Sequence, residues 1–185
     1  MNLLTQTLPG VSITYYGEEL GMTNNMDITF EQTVDPSGLN CGPEHYNDEV
    51  CSRDPERTPM QWNAGVNAGF NEGGSTWLPV NEDYTTVNVE SQLADPSSHL
   101  AFFKGLLRQR KLDVYKNGSV NTVVKGDILA VARTLESERV VQVSLVNFGD
   151  STATIDLGGQ FDADYVSASV VLNSLGEESA NNPPS

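Results

Sequence analysis

The stretch Val11-Ser12-Ile13-Thr14-Tyr15-Tyr16-Gly17-Glu18-Glu19 decides the architecture. Its opening residues are β-branched or aromatic apart from Ser12, which is the composition of a strand, and Gly17 breaks the run. Ahead of it, Met1-Asn2-Leu3-Leu4-Thr5 reads as the last turn of an amphipathic helix, halted by Leu8-Pro9-Gly10. It lacks the charged n-region and the longer apolar stretch of a signal peptide. A strand entered from a helix and left at Gly-Glu-Glu is one α/β unit. If that unit belongs to a parallel barrel, Glu18 and Glu19 lie at the C-terminal rim, where such barrels assemble their sites. Adjacent residues on an extended chain point oppositely, so the two do not form a facing acid/base pair. Anchoring of neighbouring loops is the plainer role for them.

Beyond the strand, residues 23–96 read as irregular, with Pro36, Pro43, Pro55, Pro59 and Pro79 among many Gly and Asn. So long a stretch without regular elements inside a compact domain usually marks a functional loop assembly. A helix then follows, with Asp95 predicted as N-cap and Pro96 at the first helical position. Leu100, Phe103 and Leu107 form its apolar stripe, widened by Phe102 and Leu106. Lys104, Arg108, Arg110 and Lys111 gather near its C-terminus, where the dipole favours cations. From Leu112 the period changes to two. Ile128–Leu135, Arg139–Asn147 and Ser151–Leu157 are predicted as consecutive antiparallel strands, with Ser167–Leu172 as one more. Val141, Val143 and Leu145 face one way, and Gln142 and Ser144 the other. This is a small all-β domain, and it reads as incomplete. Both ends lack the features of natural termini, so a piece of something larger is expected. Asn117-Gly118-Ser119 is a glycosylation sequon, and Asn-Gly is equally good hairpin-turn chemistry.

Composition narrows the function. With 185 residues and a net charge of −15, the chain would repel nucleic-acid phosphates. At 38% hydrophobic and 19% charged residues, it is a folding chain rather than an acidic disordered tail. No apolar run approaches the roughly 18 residues that a membrane span requires. Only His45 and His99 supply imidazole. Cys41 and Cys51 bracket a short Gly/Pro loop, for which a disulfide, two free thiols, or a zinc site with His45 are the readings. The disulfide is the adopted one, because zinc normally takes three or four protein ligands and only carboxylates remain to complete the set. A disulfide implies secretion. No metal site and no cofactor is assigned.

The densest segment is Ser52-Arg53-Asp54-Pro55-Glu56-Arg57-Thr58-Pro59-Met60-Gln61-Trp62. Two arginines, an intervening carboxylate and a Trp, stiffened by prolines, suit a rigid loop. The planar fork of an arginine holds a carboxylate or paired sugar hydroxyls. Spacing leaves open whether these arginines meet a sugar or form an internal Arg–Asp network. Trp62, Trp77, Tyr15, Tyr16 and Phe30 are of a kind to stack on sugar rings, although most are expected in the core.

Tyr15-Tyr16-Gly17-Glu18-Glu19-Leu20-Gly21-Met22-Thr23 and Arg53 through Trp62 resemble the α-glucosidases of the α-amylase superfamily. Asn67-Ala68-Gly69-Phe70, Thr76 through Asn81, Val87-Asn88-Val89-Glu90 and Ser97-Ser98-His99-Leu100 extend the resemblance collinearly. The insertion Ile28 through Pro36 is similar to that of insect maltases. The resemblance implies α/β plus all-β architecture: the final β/α unit of a TIM (β/α)8 barrel with its long loop over 1–111, then a truncated antiparallel β-sandwich C-terminal domain over 112–185. It implies hydrolysis of terminal α-1,4-linked glucose with retention, by a nucleophilic Asp, an acid/base Glu and a second Asp. Retention requires two carboxyl groups about 5 Å apart. The family carries those acids on earlier strands, and neither Gly-x-Arg-x-Asp nor Asn-His-Asp occurs in this chain, so no catalytic residue is assigned and the isolated chain is expected to be inactive. Arg53 is implied to pair with a carboxylate from an early barrel loop and to hold the non-reducing-end glucose of maltose or a short α-glucoside. Arg57 and Asp54 are implied to brace that loop, and all three are grouped as substrate-binding. The alternative is a non-catalytic relative, such as the heavy subunits of amino-acid transporters. The location expected is secreted or extracellular, with membrane anchoring of the full-length protein left open.

Overall fold

The computed structural model describes residues 1–48, 50–138, 140–157 and 169–174. It divides into two compact units, Met1–Ile13 with Phe102–Ser185 and Thr14–Ala101.

The first unit is built on a three-stranded antiparallel sheet, β1 (Ser119–Lys125), β2 (Ile128–Leu135) and β3 (Val140–Asn147), in that order. β1 was not expected. Lys125 pairs with Ile128 across a two-residue loop, Gly126-Asp127, and that is where the hairpin turns. The Asn117-Gly118 pair expected to be hairpin chemistry instead closes a short helix, α5 (Asp113–Asn117), with Gly118 as its cap. On one face, Ala130 and Ala132 pack with Val123, Val141 and Val143, and register sets Val143 opposite Ala132. Ile155 and Leu157 join the same cluster. The strand expected over Ser151–Leu157 is therefore apolar packing without a ladder. Of the strand expected over Ser167–Leu172, Ser167 and Ala168 lie outside the described residues, and the rest carries no strand.

The other sheet face, that of Gln142 and Ser144, is covered as well. Val131 and Arg133 are buried on it at 0% and 2% exposure, Ser144 is buried beside them, and α5 packs there. Arg133 Nη2 donates to the carbonyls of Tyr115 (2.8 Å) and Gly118 (2.9 Å), satisfying helix-end acceptors. Leu145 shares the face of Val141 and Val143, opposite Ala130, and is exposed there. Helix α1 (Asn2–Thr7) shares this unit, and Arg110 is its cap: its guanidinium donates to the carbonyls of Gln6, Leu8 and Gly10. One member of the basic cluster is thus spent on backbone acceptors.

Helix α4 (His99–Arg110) begins later than predicted. Asp95 closes a turn through Ser97, whose N–H and Oγ both donate to its Oδ1, and Ser98 Oγ accepts the Ala101 N–H in the capping position. Leu100, Phe103 and Leu106 are buried while Leu107 is exposed, so the stripe follows i, i+3, i+6.

The second unit has little regular structure: α2 (Pro36–Cys41), α3 (Val89–Ala94) and several single 3₁₀ turns. Leu20, Ile28, Ala68 and Leu78 are its apolar centre, joined by buried Asn25, Asp35, Asp54, Thr58, Gln61 and Asn88. That polar content has a cause. A loop assembly without ladders must satisfy buried backbone groups with side chains. Gln61 Nε2 reaches the Val87 carbonyl and Asp83, Asn88 caps α3 at Ser91 and holds Tyr84, and Gln92 bridges Leu20 and Leu100.

The run Val11–Tyr16, predicted as a strand, carries no ladder, and Val11 and Ile13 are 93% and 82% exposed. A parallel strand exists only by its neighbours, and none of the described residues supplies one.

Candidate functional site

The Ser52–Trp62 segment sorts by burial. Ser52, Asp54, Pro55, Thr58, Pro59 and Gln61 point inward, while Arg53, Glu56, Arg57 and Trp62 are exposed. Pro55 sits in a 3₁₀ turn, Asp54–Glu56, that the Arg57 N–H closes onto the Asp54 carbonyl at 2.9 Å. Two aromatics fasten the next residues: Tyr16 Oη donates to the Thr58 carbonyl (2.8 Å) and Trp77 Nε1 to the Arg57 carbonyl (3.0 Å). Partial burial and neighbouring Tyr15 push the Tyr16 hydroxyl up to about 12.

Arg53 lies on Asp35. Its Nε meets Asp35 Oδ2 at 2.9 Å and its Nη2 meets Oδ1 at 3.1 Å, a side-on fork. Its backbone N–H also donates to Oδ2, at 3.0 Å. The Asp35 side chain is 3% exposed and that of Arg53 54%. These hydrogen bonds hold the Asp35 carboxyl well below the usual carboxylate range, and they raise Arg53 in turn. Asp54 returns the contact: its Oδ2 accepts the N–H groups of Val34 (2.8 Å) and Asp35 (2.9 Å). Residues 34–35 and 53–54 therefore clamp each other reciprocally. Asp54 is buried at 3% exposure, so it braces the loop and presents no surface to a ligand. Arg57 is exposed and, among the described residues, makes no side-chain hydrogen bond.

Asp35 was not singled out in the sequence, although Asp-Pro is a helix-start signal. It also caps α2 by accepting the Ser37 N–H at 3.1 Å, with Pro36 at the first helical position. The far end of α2 is tied by a Cys41–Cys51 disulfide, Cα atoms 6.1 Å apart. Gly38 permits the return: a Cβ there would stand 2.9 Å from the Ser52 Cβ. Among the described residues no group of three or more His, Cys, Asp or Glu is placed to hold a metal ion. His45 pairs instead with Asp48 on the surface.

Glu19 Oε2 accepts the Gly17 N–H at 2.9 Å, and the Glu18 carbonyl lies 3.1 Å from His99 Nε2. Gly17 has φ 89°, and a Cβ there would meet Met22 Sδ at 2.8 Å, so the break after the run requires glycine. The aromatics expected mostly in the core are largely at the surface: Tyr15, Tyr16, Trp62 and Trp77 are 37–48% exposed. Phe30 is half-buried, edge-on to Tyr46. Asn117 is exposed at the end of α5.

The profile of the family described as "Alpha amylase, catalytic domain" matches residues 1–118. The chain belongs to the α-amylase catalytic-domain family. Maltase A1 of Drosophila melanogaster is 40% identical over 96% of this chain and 30% of its own length. A salivary alpha-glucosidase of Anopheles gambiae is 43% identical over 86% of this chain and 26% of its own. A mouse amino acid transporter heavy chain is 35% identical over 86% and 21%. Among solved structures, a Bacillus licheniformis trehalose-6-phosphate hydrolase superposes with a TM-score of 0.70 at 31% identity, over 85% of this chain and 32% of that one. The α-amylase-family chain thus spans about 30% or less of the curated relatives it matches. No helix among its described residues is long and apolar enough to cross a membrane.

Proposed function

We propose that this chain is part of a secreted, retaining α-glucosidase that removes terminal non-reducing α-1,4-linked glucose from maltose and short α-glucosides. It supplies one wall of the glucose pocket, while the reacting carboxylates lie elsewhere in the full-length protein. The observation that carries the reading is Arg53, half exposed and fixed by a buried carboxylate, within a family member that is 40–43% identical to a maltase and a salivary alpha-glucosidase. A guanidinium held on one edge keeps donors for sugar hydroxyls on another. Arg57 is exposed in the same loop, and Asp54 fixes the loop from within.

In this reading residues 1–111 close the (β/α)8 barrel, with Val11–Tyr16 as its last strand. Residues 112–185 begin a β-sandwich whose second sheet covers the Ala130–Ala132 face. Exposed Asn117 carries a glycan. The salivary relatives and the Cys41–Cys51 disulfide favour secretion.

Hydrolysis of an aryl α-glucoside is the test. Turnover is expected from the full-length protein and none from the 185-residue chain alone. Turnover by the isolated chain would place the reacting acids within it. A full-length protein that folds and leaves the substrate intact would favour the non-catalytic relatives, of which the transporter heavy chain is the example.

A further inference from the structure

We infer that Asp35 is the positioning residue of the glucose pocket: it grips the inner edge of Arg53 and leaves the end-on Nη1–Nη2 edge as the donor pair that meets the sugar. This deepens the glucosidase reading and rests on it for the identity of the ligand.

A guanidinium has five N–H groups in a fixed plane. Asp35 takes two of them, from Nε and Nη2. Three remain, and two of them, one on Nη1 and one on Nη2, form the end-on edge. That edge is pinned in direction as well as in place, because a two-point contact to a planar fork fixes the plane's rotation. An unpinned arginine would have to lose rotamer freedom when ligand bound.

The grip is itself anchored from several sides. Asp35 has both oxygens occupied, by the Arg53 backbone and side chain and by the Ser37 N–H. Its own backbone is fixed through Asp54. The disulfide joins Cys41, at the end of the helix that Asp35 starts, to Cys51, two positions before Arg53. Asp35 and Arg53 thus flank the loop that the disulfide closes, one across α2 and the other two residues beyond Cys51. Asp35 itself, buried beneath the fork, touches no ligand, so its influence passes through Arg53.

The experiment uses the full-length protein. Butanedione modifies accessible arginines, and peptide mass spectrometry reads the rate at Arg53. Asp35→Asn should raise that rate about tenfold or more, since a charge-assisted fork is lost; an unchanged rate would overturn the grip. With an aryl α-glucoside, Asp35→Asn should raise KM about tenfold with kcat moved less than about threefold, because the bound contact is lost more than the chemistry. Arg53→Lys should do the same, and adding Asp35→Asn to Arg53→Lys should change KM no further. Additive effects would mean that Asp35 acts through the general fold and would overturn the inference. Should Asp35→Asn fail to fold, Arg53→Lys still tests the edge that Asp35 is inferred to aim, and an unaltered KM there would overturn the inference. A wild-type protein without glucosidase activity would sink the proposed function, and the butanedione rates would still decide the grip.

Discussion

Asp54→Ala is the sharpest test of how the loop is held. The carboxylate is 3% exposed, and one oxygen takes two backbone N–H groups at 2.8 and 2.9 Å. Alanine leaves both without an acceptor, in a place where the Asp35 amide is out of reach of water. A hydrogen bond to a charged group contributes about 1.5–3 kcal/mol, and two that share one oxygen give less than their sum, so about 3 kcal/mol is lost. Asparagine keeps a carbonyl oxygen in the same position but not the charge, so Asp54→Asn should cost about 1 kcal/mol. The difference is readable locally. Hydrogen exchange at the Val34 and Asp35 amides, followed by mass spectrometry on the full-length protein, should accelerate about 100-fold in the alanine variant and about fivefold in the asparagine variant, at about 1.4 kcal/mol per tenfold. Exchange that stays within about threefold of wild type in Asp54→Ala, or that is as fast in Asn as in Ala, would refute the claim that this carboxylate carries the loop.

The disulfide closes a separation of 10 residues, for which the chain-entropy relation gives about 2.7 kcal/mol; the paired Cys41→Ser and Cys51→Ser variant should show that loss as faster hydrogen exchange over residues 36–52. Asp35 has its carboxyl depressed by Arg53, so its contribution is complete above the unfolded carboxylate pKa of about 3.9 and is lost as pH falls through the still lower folded value. Thermal melts should therefore show a constant gap between wild type and Asp35→Asn from pH 7 to about 5, narrowing only below about 4. Ala68 is fully buried with φ 55° and ψ 27°, and its carbonyl accepts both the Trp62 and Asn63 N–H groups. Ala68→Gly should fall within about 1 kcal/mol of wild type, relief of the left-handed backbone offsetting the lost methyl and the added chain entropy. Ala68→Val, β-branched in that conformation and overpacked, should cost more than about 3 kcal/mol by melt.

Local chemistry announced itself in the sequence wherever a signal is carried by neighbours in the chain. The α4 stripe, β2, β3 and the Gly17 break are of this kind, because periodicity and a left-handed turn are properties of a few consecutive residues. The Ser52–Trp62 segment was legible as a rigid arginine loop for the same reason. Its partner was not. Asp35 lies 18 residues from Arg53, and nothing in either neighbourhood specifies that one carboxylate among many meets that guanidinium. Only the fold joins them, through α2, the closed loop between Cys41 and Cys51, and the crossed bonds of Asp54. Tertiary context also reversed local expectation. Val11–Tyr16 has the residues of a strand, yet pairing is a property of neighbours, and without a neighbouring strand it forms no ladder. Alternation put Gln142 and Ser144 on one face, and only the fold shows that α5 covers it. The order of residues alone determined which groups the Ser52–Trp62 loop carries. The three-dimensional arrangement decided which of them is aimed outward, because aim depends on what holds the other side of the group.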